Sequence, residues 1–287
     1  MTTIAIENKN ETRRGIQDTF PADGFTEVDY RHNKVLFSIG AKLLKKCVDK
    51  VIFATDPKDF ADRLGNVAIS VSENKISFMG TDGRRCALYS LSAGDKDVAI
   101  KANNQKILID AKLLKKCCRS FDSDETIEAI DCEDGEHVIL GADNTKVRLR
   151  VASEIAKQEF PSVINILSLA WPTTIVADKT SLSKAIEFLR LYNPEKSIFY
   201  VKEGKSEIKI DAARRGTDPE TALAKCEPIK ASLANPVAMS NKFIVDCCKK
   251  IIGSVVKISF TKDERKIRME STTDKHFVYF MQAMTAK

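Results

Sequence analysis

The chain has 287 residues, 43% hydrophobic and 30% charged, with a formal net charge of +6; that is the length of two ordinary domains and the composition of a soluble globular protein. No apolar run approaches the roughly 20 residues of a membrane span, and no charged-then-apolar leader opens the chain, so an intracellular, cytoplasmic protein with no membrane partner is expected. The eight cysteines form no C-x-x-C pair, which favours core thiols in a reducing compartment over metal or disulfide use.

Residues 1–33 lack periodicity and mix charges with Gly15, Pro21 and Gly24. They predict a flexible N-terminal arm, in which Phe20 and Phe25 could dock on another surface. From residue 34 the pattern sharpens. KVLFSIG reads as a strand, and the heptapeptide AKLLKKC follows at 41–47; the same seven residues recur at 111–117, behind QKILID. Taking Gly40 and Asp110 as the residues before each helix, apolar side chains fall three, four, seven, eight and eleven residues later. They are Leu43, Leu44, Cys47, Val48 and Val51, then Leu113, Leu114, Cys117, Cys118 and Phe121, one stripe of a 3.6-residue helix. Between the two helices lie short strand-like runs separated by polar turns, among them GNVAISVSEN, KISFMGTD, ALYSLSA and DVAIKANN. ETIEAIDCED, HVILGAD and KVRLRVAS follow the second helix. Residues 154–170, interrupted by Pro161, read as a connector.

The rhythm then starts again. TTIVAD leads to a helix over 179–191 with Asp178 at its cap and Leu182, Ala185, Ile186 and Leu189 on its stripe. VAMS leads to a helix over 241–252 with Ser240 at its cap and Phe243, Ile244, Cys247, Cys248 and Ile251 on its stripe. Asp and Ser suit the cap because their side-chain oxygens accept from first-turn amides. Two repeated domains are expected, 34–167 and 168–287, each with two helices packed on antiparallel β-sheets, an α+β class with the helices segregated to one side.

Charge is segregated as well. Helices over 41–52, 111–121, 179–191 and 241–252 carry +3, +4, +2 and +2, so together they hold +11 while the rest of the chain is acidic at −5. Basic helices of this kind suit a polyanion. Enzyme signatures are missing: there is no Walker phosphate loop, no dinucleotide G-x-G-x-x-G, no H-E-x-x-H and no G-x-S-x-G turn. His32, His137 and His276 have no spaced partners, and the carboxylates between Asp122 and Glu136 read as hydrated strand ends. No catalytic residue, metal site or cofactor is assigned.

Three stretches carry a resemblance. They are ADRLGNVAISVSENKISFMGTDGRRCAL at 61–88, with its Thr-Asp-Gly-x-Arg corner, EFPSV at 159–163, and the closing strand FVYFMQAM at 277–284. Together they resemble the bacterial DNA polymerase sliding-clamp family, the beta subunit of polymerase III, over its second and third domains. The resemblance implies a DNA-clamp fold and a processivity factor, a ring of six similar domains around double-stranded DNA with helices lining the hole. Phosphates would attract these helices without regard to sequence, as sliding requires. Two domains per chain imply three copies, a head-to-tail homotrimer; the alternative is a clamp-like regulator or truncated clamp that forms no ring on DNA. The residues then expected to face DNA are Lys42, Lys45, Lys46, Lys112, Lys115, Lys116, Arg119, Lys179, Lys184, Lys242, Lys249 and Lys250.

The resemblance also implies a pocket between two domains that holds short peptide motifs of DNA polymerase and clamp loader. Carried over by position, it comprises Leu64, Thr81, Gly83, Arg84, Arg85, Cys86, Pro161, Ile166, Ser240, Phe243 and Met281. Here Phe243 replaces the family's tyrosine, Cys86 a leucine, Ser240 an asparagine and Arg84 a common histidine, and the tail reads Met281-Gln282-Ala283-Met284 where the family has Met-Pro-Met-Arg. A different peptide preference is expected.

Overall fold

Four strands pass directly into helices, at the points where apolar alternation gives way to the helical stripe. The computed structural model that shows this describes residues 5–8, 34–59, 63–132, 134–143, 145–162, 164–212 and 218–285; most of the expected N-terminal arm, Phe20 and Phe25 included, lies outside the described residues. Strand Lys34–Gly40 precedes helix Ala41–Val51, Gln105–Asp110 precedes Ala111–Cys117, Thr173–Asp178 precedes Lys179–Leu189, and Val237–Ser240 precedes Asn241–Lys250. Three of the four helices start on a side-chain cap. Asp110 accepts from the Leu113 amide at 2.8 Å, Asp178 from Ser181 at 2.6 Å, and Ser240 from Phe243 at 3.4 Å. Gly40 has no side chain to offer, and its own amide donates to the Asp97 carbonyl at 3.0 Å.

The chain forms two units, Met1–Asp82 with Leu88–Pro161, and Gly83–Ala87 with Ser162–Lys287. The sequence placed the boundary after residue 167 and gave 83–87 to the first domain. In the first unit, β1 (Ala5–Asn8) and β2 (Lys34–Gly40) come before α1 (Ala41–Val51) and a 3-10 turn at Ile52–Ala54. There follow β3 (Asn66–Ser72), β4 (Lys75–Thr81), β5 (Arg85–Ser92), β6 (Val98–Ile100) and β7 (Gln105–Asp110). After α2 (Ala111–Cys117) come β8 (Thr126–Asp131), β9 (His137–Gly141), β10 (Thr145–Arg150) and α3 (Glu154–Glu159). One sheet has the order β1-β10-β9-β8-β2-β6, and a second set has the order β5-β4-β3-β7.

The second unit opens with α4 (Ile164–Leu167), β11 (Thr173–Asp178) and α5 (Lys179–Leu189). It continues with β12 (Lys196–Tyr200), β13 (Glu207–Ala212), β14 (Glu220–Lys225) and β15 (Val237–Ser240), then α6 (Asn241–Lys250), β16 (Val255–Phe260), β17 (Lys266–Ser271) and β18 (Phe277–Gln282). Its strands are ordered β11-β16-β17-β18 and β14-β13-β12-β15. Replacing β11 by β2, β16 by β8, β17 by β9 and β18 by β10 reproduces one set of the first unit. Replacing β12 to β15 by β3, β4, β5 and β7 reproduces the other. The expected repeat is thus a repeat of topology in which eight strands match eight, with β1 and β6 added in the first unit.

In all four helices the residues four, seven, eight and eleven places after the cap are buried. They are Leu44, Cys47, Val48 and Val51; Leu114, Cys117, Cys118 and Phe121; Leu182, Ala185, Ile186 and Leu189; Ile244, Cys247, Cys248 and Ile251. The place three residues after the cap is only half-buried each time, at Leu43, Leu113, Ser181 and Phe243. α1 lies so close to β4 that a Cβ added at Gly80 would sit 2.3 Å from the Val51 carbonyl oxygen; only glycine fits there.

Three local expectations change. The second helix was expected to reach residue 121 but ends at Cys117, because the amides of Arg119 and Ser120 bond three residues back, to Lys116 at 3.0 Å and Cys117 at 2.9 Å, and tighten the chain into turns. The supposed connector contains α3, capped by Ser153 through the Ala156 amide at 3.3 Å, and α4, with Pro161 between them. Within the supposed flexible arm, Ala5–Asn8 forms β1 and pairs antiparallel with β10, because backbone groups on the outer side of β10 offer ladder partners to any extended segment within reach.

Candidate nucleic-acid interface and partner-binding residues

The buried stripe of each helix sets where its charges must go. On α1 the positions two, five and six after the cap are Lys42, Lys45 and Lys46, and all three are exposed. The same positions on α2 hold Lys112, Lys115 and Lys116, of which Lys115 is half-buried; Arg119 beyond the helix is exposed. Lys46 also lies with its ammonium 5.3 Å from the centre of the Tyr89 ring. α1 and α2 pack against each other within the first unit, so one exposed surface combines their lysines. Lys50, counted with the positive charge, is buried at 7% exposure.

The second unit is less uniform. Lys184, Lys242 and Lys249 are exposed and Lys250 is half-buried. Lys179 departs from the expectation of a DNA-facing side chain: half-buried, it donates from Nζ to the Ile251 carbonyl at 2.9 Å, where a cation suits the C-terminal end of α6. That bond ties the start of α5 to the end of α6.

The residues expected to bind partner peptides divide between the units. In the first, Leu64 is half-buried, with its amide donating to Asp59 Oδ2 at 2.7 Å, Thr81 is 3% exposed, and Pro161 is exposed. In the second, Gly83 occupies the left-handed region at φ 82°, as the Asp-Gly corner requires. Arg84 is exposed and its carbonyl accepts from the Gln282 amide at 2.9 Å. The Arg85 side chain is buried, 2.8 Å from Asp246 Oδ2, and its guanidinium lies 4.5 Å from the centre of the Phe243 ring. Phe243 and Asp246 are three residues apart on α6, so one face of the helix presents both to Arg85. The structure therefore brings together Arg85 and Phe243, while Ser240 serves as the α6 cap and Ile166 is half-buried on α4.

Two more of the expected contacts are buried, as Thr81 and Arg85 are. Cys86 is 5% exposed and Met281 2% exposed, because β5 and β18 turn these side chains inward. Sequence reasoning missed Asp246, treating it only as a charge subtracted from its helix; its spacing from Phe243 was the available signal. Burial pushes the Cys118 thiol up to about 12, with Asp49 adding to it, and the Cys248 thiol up to about 11. Among the described residues no group of three or more His, Cys, Asp or Glu is placed to hold a metal ion, and no helix is long and apolar enough to cross a membrane.

Repeated two-helix units, each resting its helices on two sets of antiparallel strands, define the DNA sliding-clamp fold. The solved structures that share it include the DNA polymerase III beta subunit of Thermotoga maritima, with a TM-score of 0.79 and 19% identity over 93% of this chain and 70% of that one. The sliding clamp of Bacillus subtilis matches with a TM-score of 0.77 and 18% identity, over 93% of this chain and 67% of that one. By sequence as well the chain resembles the bacterial beta-clamp family: residues 35–164 match the family described as DNA polymerase III beta subunit, N-terminal domain. The expectation had placed this stretch on the second domain of the family. Curated relatives are the beta sliding clamps of Pseudomonas putida, 22% identical over 178 residues, and Pseudomonas aeruginosa, 23% identical over 182. Each match covers 62% of this chain and 46% of the relative, so the matched stretch spans about half the length of those proteins.

Proposed function

We propose that this chain is a DNA sliding clamp, a processivity factor that encircles duplex DNA as a head-to-tail homotrimer of six units. The observation that carries the reading is the placement of charge: on a repeated clamp topology, the exposed helix faces hold Lys42, Lys45, Lys46, Lys112, Lys116, Lys184, Lys242 and Lys249. Lysine clusters of this kind bind phosphates by releasing counterions and read no bases. Two units per chain make six from three copies, and a closed cyclic assembly is the arrangement that satisfies every head-to-tail interface. DNA polymerase and clamp loader would then be held through short peptides at the Gly83–Arg85 corner and α6.

Light scattering tests the assembly, with a mass near three times the 31.9 kDa monomer expected. Replacing Lys42, Lys45, Lys112 and Lys116 together by glutamate should weaken salt-dependent DNA association by about tenfold or more and flatten its salt dependence. DNA association unchanged in that variant would sink the proposal. A second reading, a clamp-related chain that stays open, is favoured by one observation: β1 covers the outer edge of β10.

A further inference from the structure

The repeat gives every strand except β1 and β6 a counterpart, and the two units differ most at the edges. β18 ends one strand set of the second unit as β10 ends the matching β2-β8-β9-β10 set of the first. Beside β18, inside the second unit, lie residues 83–87, where the Gln282 amide donates to the Arg84 carbonyl. Those residues begin β5, and the counterpart of β5 is β14. By the same pairing rule a β14 belongs beside a β10. Within this chain, however, the neighbours of β10 are β9 and β1, so that β14 has to come from a second copy.

β14 is built to accept one. It ends its sheet. The Lys225 amide faces away from β13, taken by Ser181 Oγ at 2.9 Å, so by the two-residue alternation of an antiparallel pair the amides of Leu223 and Thr221 face the same way. Leu223 is 54% exposed, and Phe188, Leu191 and Tyr192 are exposed around the end of α5, the helix that packs on β14. An open strand edge beside an apolar cluster is a surface that proteins normally cover.

The β10 edge, by contrast, is already covered, with Ala5 opposite Arg148, Ile6 opposite Val147, Glu7 opposite Lys146 and Asn8 opposite Thr145. On the ring reading the outer edge of β10 receives β14 of a second copy; we propose that β1 is a strand supplied by the chain itself that holds this edge until the second copy displaces it. The inference rests on the ring reading and deepens it. A tethered strand competes at a local concentration on the order of millimolar, which suffices to shield an isolated chain. A four-residue β1 yields to the six-residue β14 because the latter brings Leu223 and the α5 cluster with it.

A disulfide lock in the full chain tests this. Glu7→Cys with Lys146→Cys places two thiols opposite each other in the β1–β10 register, in a Cys226→Ser background that removes the one cysteine that is not buried. Oxidised, the locked chain should remain monomeric by light scattering at concentrations where the same protein, reduced, assembles. In the full chain, Ile6→Pro with Glu7→Pro deletes two successive amides, one of which must face β10. If β1 is docked about nine-tenths of the time in each of the three copies, this variant should half-assemble at about thirtyfold lower concentration than the parent. A locked chain that assembles as readily as the reduced one overturns the role of β1 and leaves the ring standing. Failure of every form to assemble, the proline variant included, shows that a freed β10 edge attracts no second copy and overturns both.

Discussion

The two units share a topology but not a surface. Both bury the fourth, seventh, eighth and eleventh residues after each helix cap, whereas their polar positions have drifted apart. The helices of the first unit carry +7 and those of the second +4. In the second, Lys179 is committed to the Ile251 carbonyl and Asp246 to Arg85. The fold thus constrains the stripe that meets the sheet and leaves the opposite face to function. Under the proposed ring, the first unit contributes more of the attraction to DNA and the second more of the partner contact.

The largest expected effect tests the shared half of this comparison. Leu44→Ala and Leu182→Ala empty equivalent, fully buried positions and should each cost about 3–4 kcal/mol in urea unfolding. A cost below about 1 kcal/mol in either unit would mean that the equivalence is nominal. Arg85→Ala probes what only the second unit has. It leaves Asp246 partly buried without its cation, and a loss of about 2–3 kcal/mol is expected, less than for a pair buried on both sides because the Asp246 side chain is 27% exposed. Caps come next: Asp110→Ala and Asp178→Ala should each cost about 1 kcal/mol, read as a drop in melting temperature.

The smallest effect is in acid. Asp134 and Asp263 sit in the equivalent turns after β8 and β16. Partial burial raises the Asp134 carboxyl, but the Glu136 amide, His137 and Arg148 outweigh it and hold the group at about 2; bonds from Thr261 and the Arg265 amide lower that of Asp263. Depressed carboxylates stabilise the fold above their ordinary pKa of 3.8, and that contribution is lost as pH falls through the folded value. Asp134→Asn should therefore narrow the stability difference between pH 5 and pH 2, with a smaller effect at pH 2, where the folded carboxyl is already about half protonated. An unchanged difference would mean that the turn gains nothing from the charge.

Helices and their buried faces were legible because a 3.6-residue period repeats within eleven residues of sequence. The two-domain plan followed from the repeated heptapeptide. Other features were silent for physical reasons. α3 and α4 are shorter than two turns, too short for a period to show. The pairing of Ala5–Asn8 with 145–148 joins segments about 140 residues apart, and four extended residues carry no pattern of their own. Membership of 83–87 in the second unit is likewise a long-range contact. Lys50 entered the sequence reading only as one charge of the 41–52 helix, without its aliphatic stem, which can lie along apolar neighbours. Among the site residues, the Gly83 corner could be read from Asp-Gly, but the burial of Met281 and Cys86 depends on which way a strand faces, and a one-residue slip reverses that.

The adjacent thiols on the helix stripes make the protein its own indicator of opening. Seven of the eight cysteines are buried, and those raised to about 11 or 12 hold almost no thiolate at neutral pH. Beyond the half-buried Cys226, a thiol reagent would therefore record not the native surface but each moment at which a buried thiol opens to solvent. Cys117 and Cys118 would time the first unit and Cys247 and Cys248 the second, so that one unlabelled sample could tell whether the two halves breathe together.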